Sequence, residues 1–167
     1  MAAYSFSDEA FEETFYLLKK ALKISDFYED QKKLIKAFCN GQNIHFSAAT
    51  GYGKSAVFQS IPWVYDIVNE QVVGTSTLIV ISPLRPLMEY QVRFLKSTGI
   101  SAIALHDKSE DLDKKLRDLE DGIYSLVYAS PECMLEKNIW RKFLSSDAFR
   151  DHCIGVVYDE AHIIAQW

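Results

Sequence analysis

The sequence predicts an α/β fold, a mostly parallel sheet with helices on both faces. Three observations predict it. Short continuous apolar runs, Leu78–Ile81, Leu126–Ala129 and Ile154–Tyr158, read as strands buried on both faces. Segments of helical periodicity alternate with them, as crossover connections require. The polar clusters Ala48–Ser55, Ser82–Leu84, Ser130–Glu132 and Asp159–His162 each follow an apolar run. Parallel sheets bind ligands at such carboxyl ends of strands. At 167 residues the chain is long enough to bury one domain's core.

Taken in order, Ser7 to Lys23 places Phe11, Phe15, Leu18 and Leu22 on one helical face. Ser7 is the expected N-cap, and Lys19, Lys20 and Lys23 lie near the end. Phe27-Tyr28-Glu29-Asp30-Gln31 opens a second helix, which turns Leu34, Ile35 and Phe38 inward and ends at Asn40-Gly41. Ile44-His45-Phe46 is an expected strand leading into Ala48–Ser55. A helix follows from Ala56 to Asn69, with a kink expected at Pro62. After a turn around Gly74 come strand Leu78–Ile81, a helix from Leu87 to Thr98 closed by Gly99, and strand Ser101–Leu105. Glu110 to Asp121 is a charged helix with Leu112, Leu116 and Leu119 inward. Strand Leu126–Ala129 precedes a helix from Asn138 to Phe149, broken near Ser145-Ser146. Strand Ile154–Tyr158 runs into Asp159-Glu160-Ala161-His162.

Composition narrows the function. Hydrophobic residues make up 49% and charged residues 25%, ordinary for a globular protein. A net charge of −5 argues against a broad nucleic-acid footprint and leaves room for one narrow groove. Cys39, Cys133 and Cys153 form no C-x-x-C pair, which argues against a zinc site and a disulfide framework and suits a reducing compartment. No window reaches the apolar length of a membrane span, and Met1 to Glu13 is acidic where a secretory signal is apolar. The expectation is an intracellular protein without a membrane partner.

Apolar run, glycine loop, Lys-Ser, helix is the order of a phosphate-binding loop. Gly51 and Gly53 let backbone N–H groups surround phosphate oxygens. Lys54 would reach the β- and γ-phosphates and Ser55 would offer its hydroxyl to Mg²⁺. The helix start aims its positive dipole end at the same phosphates. The loop departs from G-x-x-x-x-G-K-[ST] at Ala48, its first glycine position. Gln31 has an amide that matches the adenine N6/N7 edge. Asp159, directly after a strand, is the expected Mg²⁺ carboxylate, Glu160 the group that orients or deprotonates water, and His162 a link to the phosphate state.

Together these segments resemble a RecQ-type DNA helicase of superfamily two. Asp159-Glu160-Ala161-His162, followed by a segment ending in Gln166-Trp167, resembles that family's D-E-A-H box and the start of its aromatic-rich loop. Phe27 and Gln31 resemble its adenine motif. Ala49-Thr50-Gly51-Tyr52-Gly53-Lys54-Ser55 resembles P-T-G-x-G-K-S, and alanine is accepted there for the loop's first glycine. Ser82-Pro83-Leu84 with Leu87-Met88 and Gln91-Val92 resembles S-P-L-x-x-L-M-x-x-Q-V. Tyr128-Ala129-Ser130-Pro131-Glu132 resembles Y-x-x-P-E.

The resemblance covers about Phe27 to Trp167. It implies a single RecA-like P-loop NTPase lobe at 27–167 after an N-terminal helical segment at 1–26. It implies ATP and Mg²⁺ as cofactors, with Phe27, Gln31, Thr50, Gly51, Tyr52, Gly53, Lys54 and Ser55 holding nucleotide. Lys54, Asp159, Glu160 and His162 would be catalytic, with Ser55 and Asp159 on the metal. Single-stranded DNA would meet Ser82, Pro83, Leu84, Ser130, Pro131, Glu132 and Trp167. The complete enzyme would unwind DNA 3′ to 5′, in the nucleus if eukaryotic. The chain departs from the family at Tyr28, where arginine is usual, and at Pro86, Tyr90 and Cys133. It is expected to stop before the second RecA-like lobe and its arginine finger, and so to bind ATP without unwinding. Two alternatives stand beside this: a non-catalytic nucleotide- or partner-binding module, and a P-loop enzyme of another class. The second lacks both an N-K-x-D guanine motif and an arginine-rich lid.

Overall fold

The computed structural model describes residues 8–106, 111–136 and 144–160. The chain forms two compact units, one up to Val73 and one from Gly74 onward.

The first unit is helical. Helix α1 spans Asp8–Ala21, α2 Glu29–Cys39 and α3 Lys54–Val68. Both α1 and α2 pack on α3. The periodic Phe11, Phe15, Leu18 and Leu22 are all buried, with Phe27, Ile35, Val57, Ile61 and Val64. The Phe15 and Phe27 rings lie 5.3 Å apart. Outside this core Lys32 meets Glu12 at 3.0 Å and Lys36 meets Asp8 at 2.9 Å. Asn40 ends α2 and Gly41 follows in the left-handed conformation (φ +77°). Helix α3 continues through Pro62, which is buried.

One expected element is absent. Residues 42–49 carry no strand, and Ile44 is 37% exposed. Three residues, one of them a histidine, supply too few ladder bonds and too little apolar surface to define a strand alone.

The second unit is the sheet. Strands β1 (Thr77–Ile81), β2 (Ala102–Leu105), β3 (Leu126–Ala129) and β4 (Cys153–Tyr158) are all parallel, in the order β2-β3-β1-β4. Every residue of β1 and β3 is buried, as continuous β-branched and apolar runs require. One face, built from Ile79, Ile81, Ile103, Leu105, Val127 and Ala129, packs on Leu116 and Leu119 of α5 (Leu112–Glu120). Cys133 of α6 (Pro131–Glu136) and Phe149 of α7 (Asp147–His152) complete that core. Helix α4 (Arg85–Ser97) buries Met88, Val92 and Leu95 and packs along β2 and β3. Strand β4 pairs only with β1 among the described residues, and Val156 and Tyr158 are 44% and 57% exposed.

The expected helix over Asn138–Phe149 falls partly on residues outside the described ones. Its visible end is α7, capped by the Ser146 hydroxyl, which accepts from the Phe149 N–H. Helix α6 was not expected; Pro131 at its first position suits a helix start. No helix among the described residues is long and apolar enough to cross a membrane.

Candidate functional site

The glycine loop belongs to the first unit. Gly51 and Gly53 both have φ +84°, a conformation that L-residues with a Cβ adopt at a cost. Ala49 to Tyr52 is a turn closed by the Tyr52 N–H on the Ala49 carbonyl at 3.2 Å, with Gly51 third in it. Gly53 is the N-cap of α3, which begins at Lys54. The Lys54 ammonium donates to the carbonyls of Ala48 at 2.8 Å and Ala49 at 3.3 Å, so the loop's cation lies on the loop's own backbone.

Gln31 holds this loop from α2. Its Nε2 donates to the carbonyls of Tyr52 at 3.0 Å and Gly53 at 3.2 Å. Its Oε1 accepts from the Tyr28 N–H at 2.9 Å. This is the half of a capping box in which the third helical residue reaches back to the N-cap. Both amide protons are used, and Gln31 is 3% exposed. A Cβ on Gly53 would stand 2.8 Å from that Nε2, so glycine is required there twice over.

An aromatic cluster sits beside the loop. The Tyr28 and Tyr52 rings stack at 5.0 Å, and Phe46 meets Tyr52 at 5.9 Å. The Tyr52 hydroxyl donates to Asp30 at 3.4 Å. Desolvation, and then the Asp30 carboxylate, push the Tyr52 phenol above its ordinary pKa. Tyr28, where the resembled family usually has arginine, is 59% exposed. Phe27, expected at the nucleotide, is 4% exposed and packs in the helical core. Thr50 is exposed at the loop's turn.

The remaining candidates belong to the second unit. Asp159 follows β4, and its N–H donates to the Ile81 carbonyl at 2.9 Å, carrying the ladder one residue past the strand. The Ser82 and Ser130 N–H groups likewise donate to Ala129 and Leu105, each at 3.0 Å. His106, Ser130, Ser82 and Asp159 therefore form one row across the sheet's carboxyl end. His106 Nε2 lies 3.8 Å from the Glu89 carboxylate of α4.

Ser82 and Ser130 were expected to face a DNA strand. Each is 1% exposed, because the row lies under the chain that turns into α4 and α6. Their side chains can support a strand-binding surface but do not reach one; Leu84, at 49% exposure, does. Pro83, Pro131 and Glu132 are half-buried. The Ser130 hydroxyl accepts from the Cys133 N–H at 3.3 Å, which caps α6. Glu160 has φ +56°, left-handed backbone on a non-glycine residue beside the expected metal carboxylate. His162 and Trp167 lie outside the described residues.

Sequence reasoning missed Asp30 and Phe46 as neighbours of the loop. Asp30 lies 22 positions from Tyr52, and no spacing rule links them.

A parallel α/β sheet, carboxyl-end acids and a Gly-Lys-Ser loop capping a helix define the class of nucleoside-triphosphate-binding folds. The DEAD/DEAH box helicase family matches residues 28–167, and the chain belongs to that family. It is 32% identical over 153 residues to the ATP-dependent DNA helicase RecQ of Haemophilus influenzae, covering 90% of this chain and 22% of that protein. The ATP-dependent helicase SGS1 of Saccharomyces cerevisiae is 30% identical over 166 residues, 98% of this chain and 11% of its own. A RecQ of Synechocystis is 32% identical over 120 residues, 71% of this chain and 23% of its own. This is a RecQ-like helicase domain, and it spans less than a quarter of the length of these relatives.

Proposed function

We propose that this chain is the ATP-binding lobe of a RecQ-like 3′-to-5′ DNA helicase. The observation that carries the reading is the loop: two left-handed glycines, a lysine folded into it and a helix starting at that lysine, in a chain of the DEAD/DEAH box helicase family. Lys54 leaves the Ala48 and Ala49 carbonyls for the nucleotide's phosphates. Gln31 links the adenine side of the nucleotide to the phosphate side, since its amide already holds the backbone of Tyr52 and Gly53. Tyr28 offers the base its exposed ring face.

The donor set fits magnesium, which prefers hard oxygen ligands and keeps several waters. Asp159 and the Ser55 hydroxyl would hold it, and when bound it neutralises phosphate charge. Glu160 is the base, and His162 reports the phosphate state to the rest of the site. The lobe comprises residues 27–167, with 1–26 as a helical preface. Leu84 and the segments around Pro83, Pro131 and Glu132 support a single strand, together with Trp167. Unwinding requires a second RecA-like lobe that supplies an arginine finger, worth about 10³ to 10⁵ in rate. In a eukaryote the site of action is the nucleus.

The test is equilibrium binding of ATP, then turnover with and without single-stranded DNA. The expected result is Mg²⁺-dependent binding lost in Lys54→Ala, with slow turnover that DNA stimulates. Binding without turnover under any DNA condition supports the non-catalytic module instead. Absence of binding sinks the nucleotide reading.

A further inference from the structure

The row at the sheet's carboxyl end holds a buried hydroxyl that the packing around it does not explain. The Ser82 hydroxyl is buried, in a residue 1% exposed, and has no hydrogen-bond partner among the described residues. Its backbone is satisfied, with the N–H on the Ala129 carbonyl. Buried hydroxyls are almost always paired, so this one calls for a partner that the present arrangement does not supply.

The register says where that partner stands. Ile81 pairs with Tyr158, and the next N–H of β4, from Asp159, bonds the Ile81 carbonyl. Ser82 and Asp159 are thus neighbours on adjacent parallel strands, their side chains leaving the same face. Adjacent strands lie about 4.8 Å apart, a gap that a serine hydroxyl and an aspartate carboxylate close to hydrogen-bond distance by rotation about χ1. The Ser130 hydroxyl, on the other side, accepts from the Cys133 N–H.

We infer that Ser82 is a positioning residue for Asp159. Its hydroxyl donates to the Asp159 carboxylate when that carboxylate takes up the metal of a bound nucleotide, fixing which oxygen faces the ion. Outer hydrogen bonds to ligating carboxylates orient them in this way. The same residue begins Pro83-Leu84, which leads into α4 with Leu84 exposed. The metal carboxylate and the proposed strand-binding segment are therefore joined through one side chain. The inference rests on the nucleotide reading proposed above.

The experiment titrates Mg²⁺ against a fluorescent ADP analogue bound to the full chain, for the parent, Ser82→Ala and Ser82→Thr. Melting by circular dichroism is followed in parallel. The expected result is that Ser82→Ala melts no lower than the parent and binds the analogue equally without Mg²⁺. Its half-saturating Mg²⁺ concentration rises about 10-fold, within the 10–100-fold typical of such outer-shell partners. Ser82→Thr, which keeps the hydroxyl, restores it. If threonine's methyl group lowers melting, the alanine comparison with and without Mg²⁺ still decides. An unchanged Mg²⁺ dependence in Ser82→Ala overturns the inference, as does an equal loss of affinity with and without the metal. A parent that binds no analogue at any Mg²⁺ concentration overturns the nucleotide reading and Ser82's role with it.

Discussion

Substituting Gly53 by alanine tests the loop's architecture without any ligand. Two separate costs follow from the geometry. The backbone at φ +84° must now carry a Cβ, which costs roughly 1–2 kcal/mol. The new Cβ would also stand 2.8 Å from Gln31 Nε2. That atom ends a flexible side chain, but Gln31 is buried and its Nε2 is held by two carbonyls. Moving it away forfeits those two bonds, at about 0.5–1.5 kcal/mol net each. Gly51 isolates the first cost, since it shares φ +84° and an added Cβ meets nothing within 4 Å. Thermal or urea unfolding should show Gly53→Ala less stable than Gly51→Ala by about 1–3 kcal/mol, the two bonds together. In a Gln31→Ala background the clash is gone, and Gly53→Ala should cost only what Gly51→Ala costs. That difference is a coupling energy in a double-mutant cycle. Equal costs for the two glycines refute the reasoning, as does a Gly53→Ala cost that survives unchanged without Gln31.

Three further outcomes are expected. Phe15→Ala removes a ring that is 2% exposed, stacked on Phe11 and tilted against Phe27; it should cost about 3–5 kcal/mol in urea unfolding, as large core truncations do. Burial pushes the Cys39 thiol from 9.0 up to about 12, so the folded state holds its proton where the unfolded chain has lost it. Its contribution is complete below pH 9 and disappears as pH rises towards 12, by at most about 1.4 kcal/mol per pH unit, so the stability difference between parent and Cys39→Ala should shrink only across that alkaline window. Glu160→Asn puts a residue that tolerates left-handed backbone at φ +56°; melting should hold or rise while DNA-stimulated ATP turnover, if Glu160 is the base, is lost.

Sheet and helices were legible because their signals are local. Leu78–Ile81 and Leu126–Ala129 have no polar residue to place outward, and both became interior strands. The Phe11–Leu22 stripe repeats at helical spacing and is buried throughout. What failed were features decided by distant partners. Ile44-His45-Phe46 is apolar enough to suggest a strand, yet a strand exists only where another pairs with it. Ile154–Tyr158 shows the converse: its composition matches a central strand, but β4 has one partner among the described residues and leaves Val156 and Tyr158 exposed. The serines of Ser82–Leu84 and Ser130–Glu132 look like polar strand exits in sequence. That they are buried follows only from the turns into α4 and α6 above them.

Hydrogen-bond capacity separates two polar residues that the sequence treats alike. Gln31 and Ser82 are both buried side chains in motifs assigned to ligands. Gln31 has both amide protons and its oxygen satisfied by backbone groups of this chain, so part of its work is done before any nucleotide arrives. Ser82 has a hydroxyl without a partner among the described residues. Removing the first should therefore lower melting in the absence of nucleotide, because it forfeits three hydrogen bonds, two of which tie α2 to the loop, at about 0.5–1.5 kcal/mol net each. Removing the second orphans nothing, and its loss can register only once a metal and nucleotide give the hydroxyl something to hold. Ligand-free melting of Gln31→Ala and Ser82→Ala, side by side, distinguishes a residue that builds the site from one that waits for its occupant.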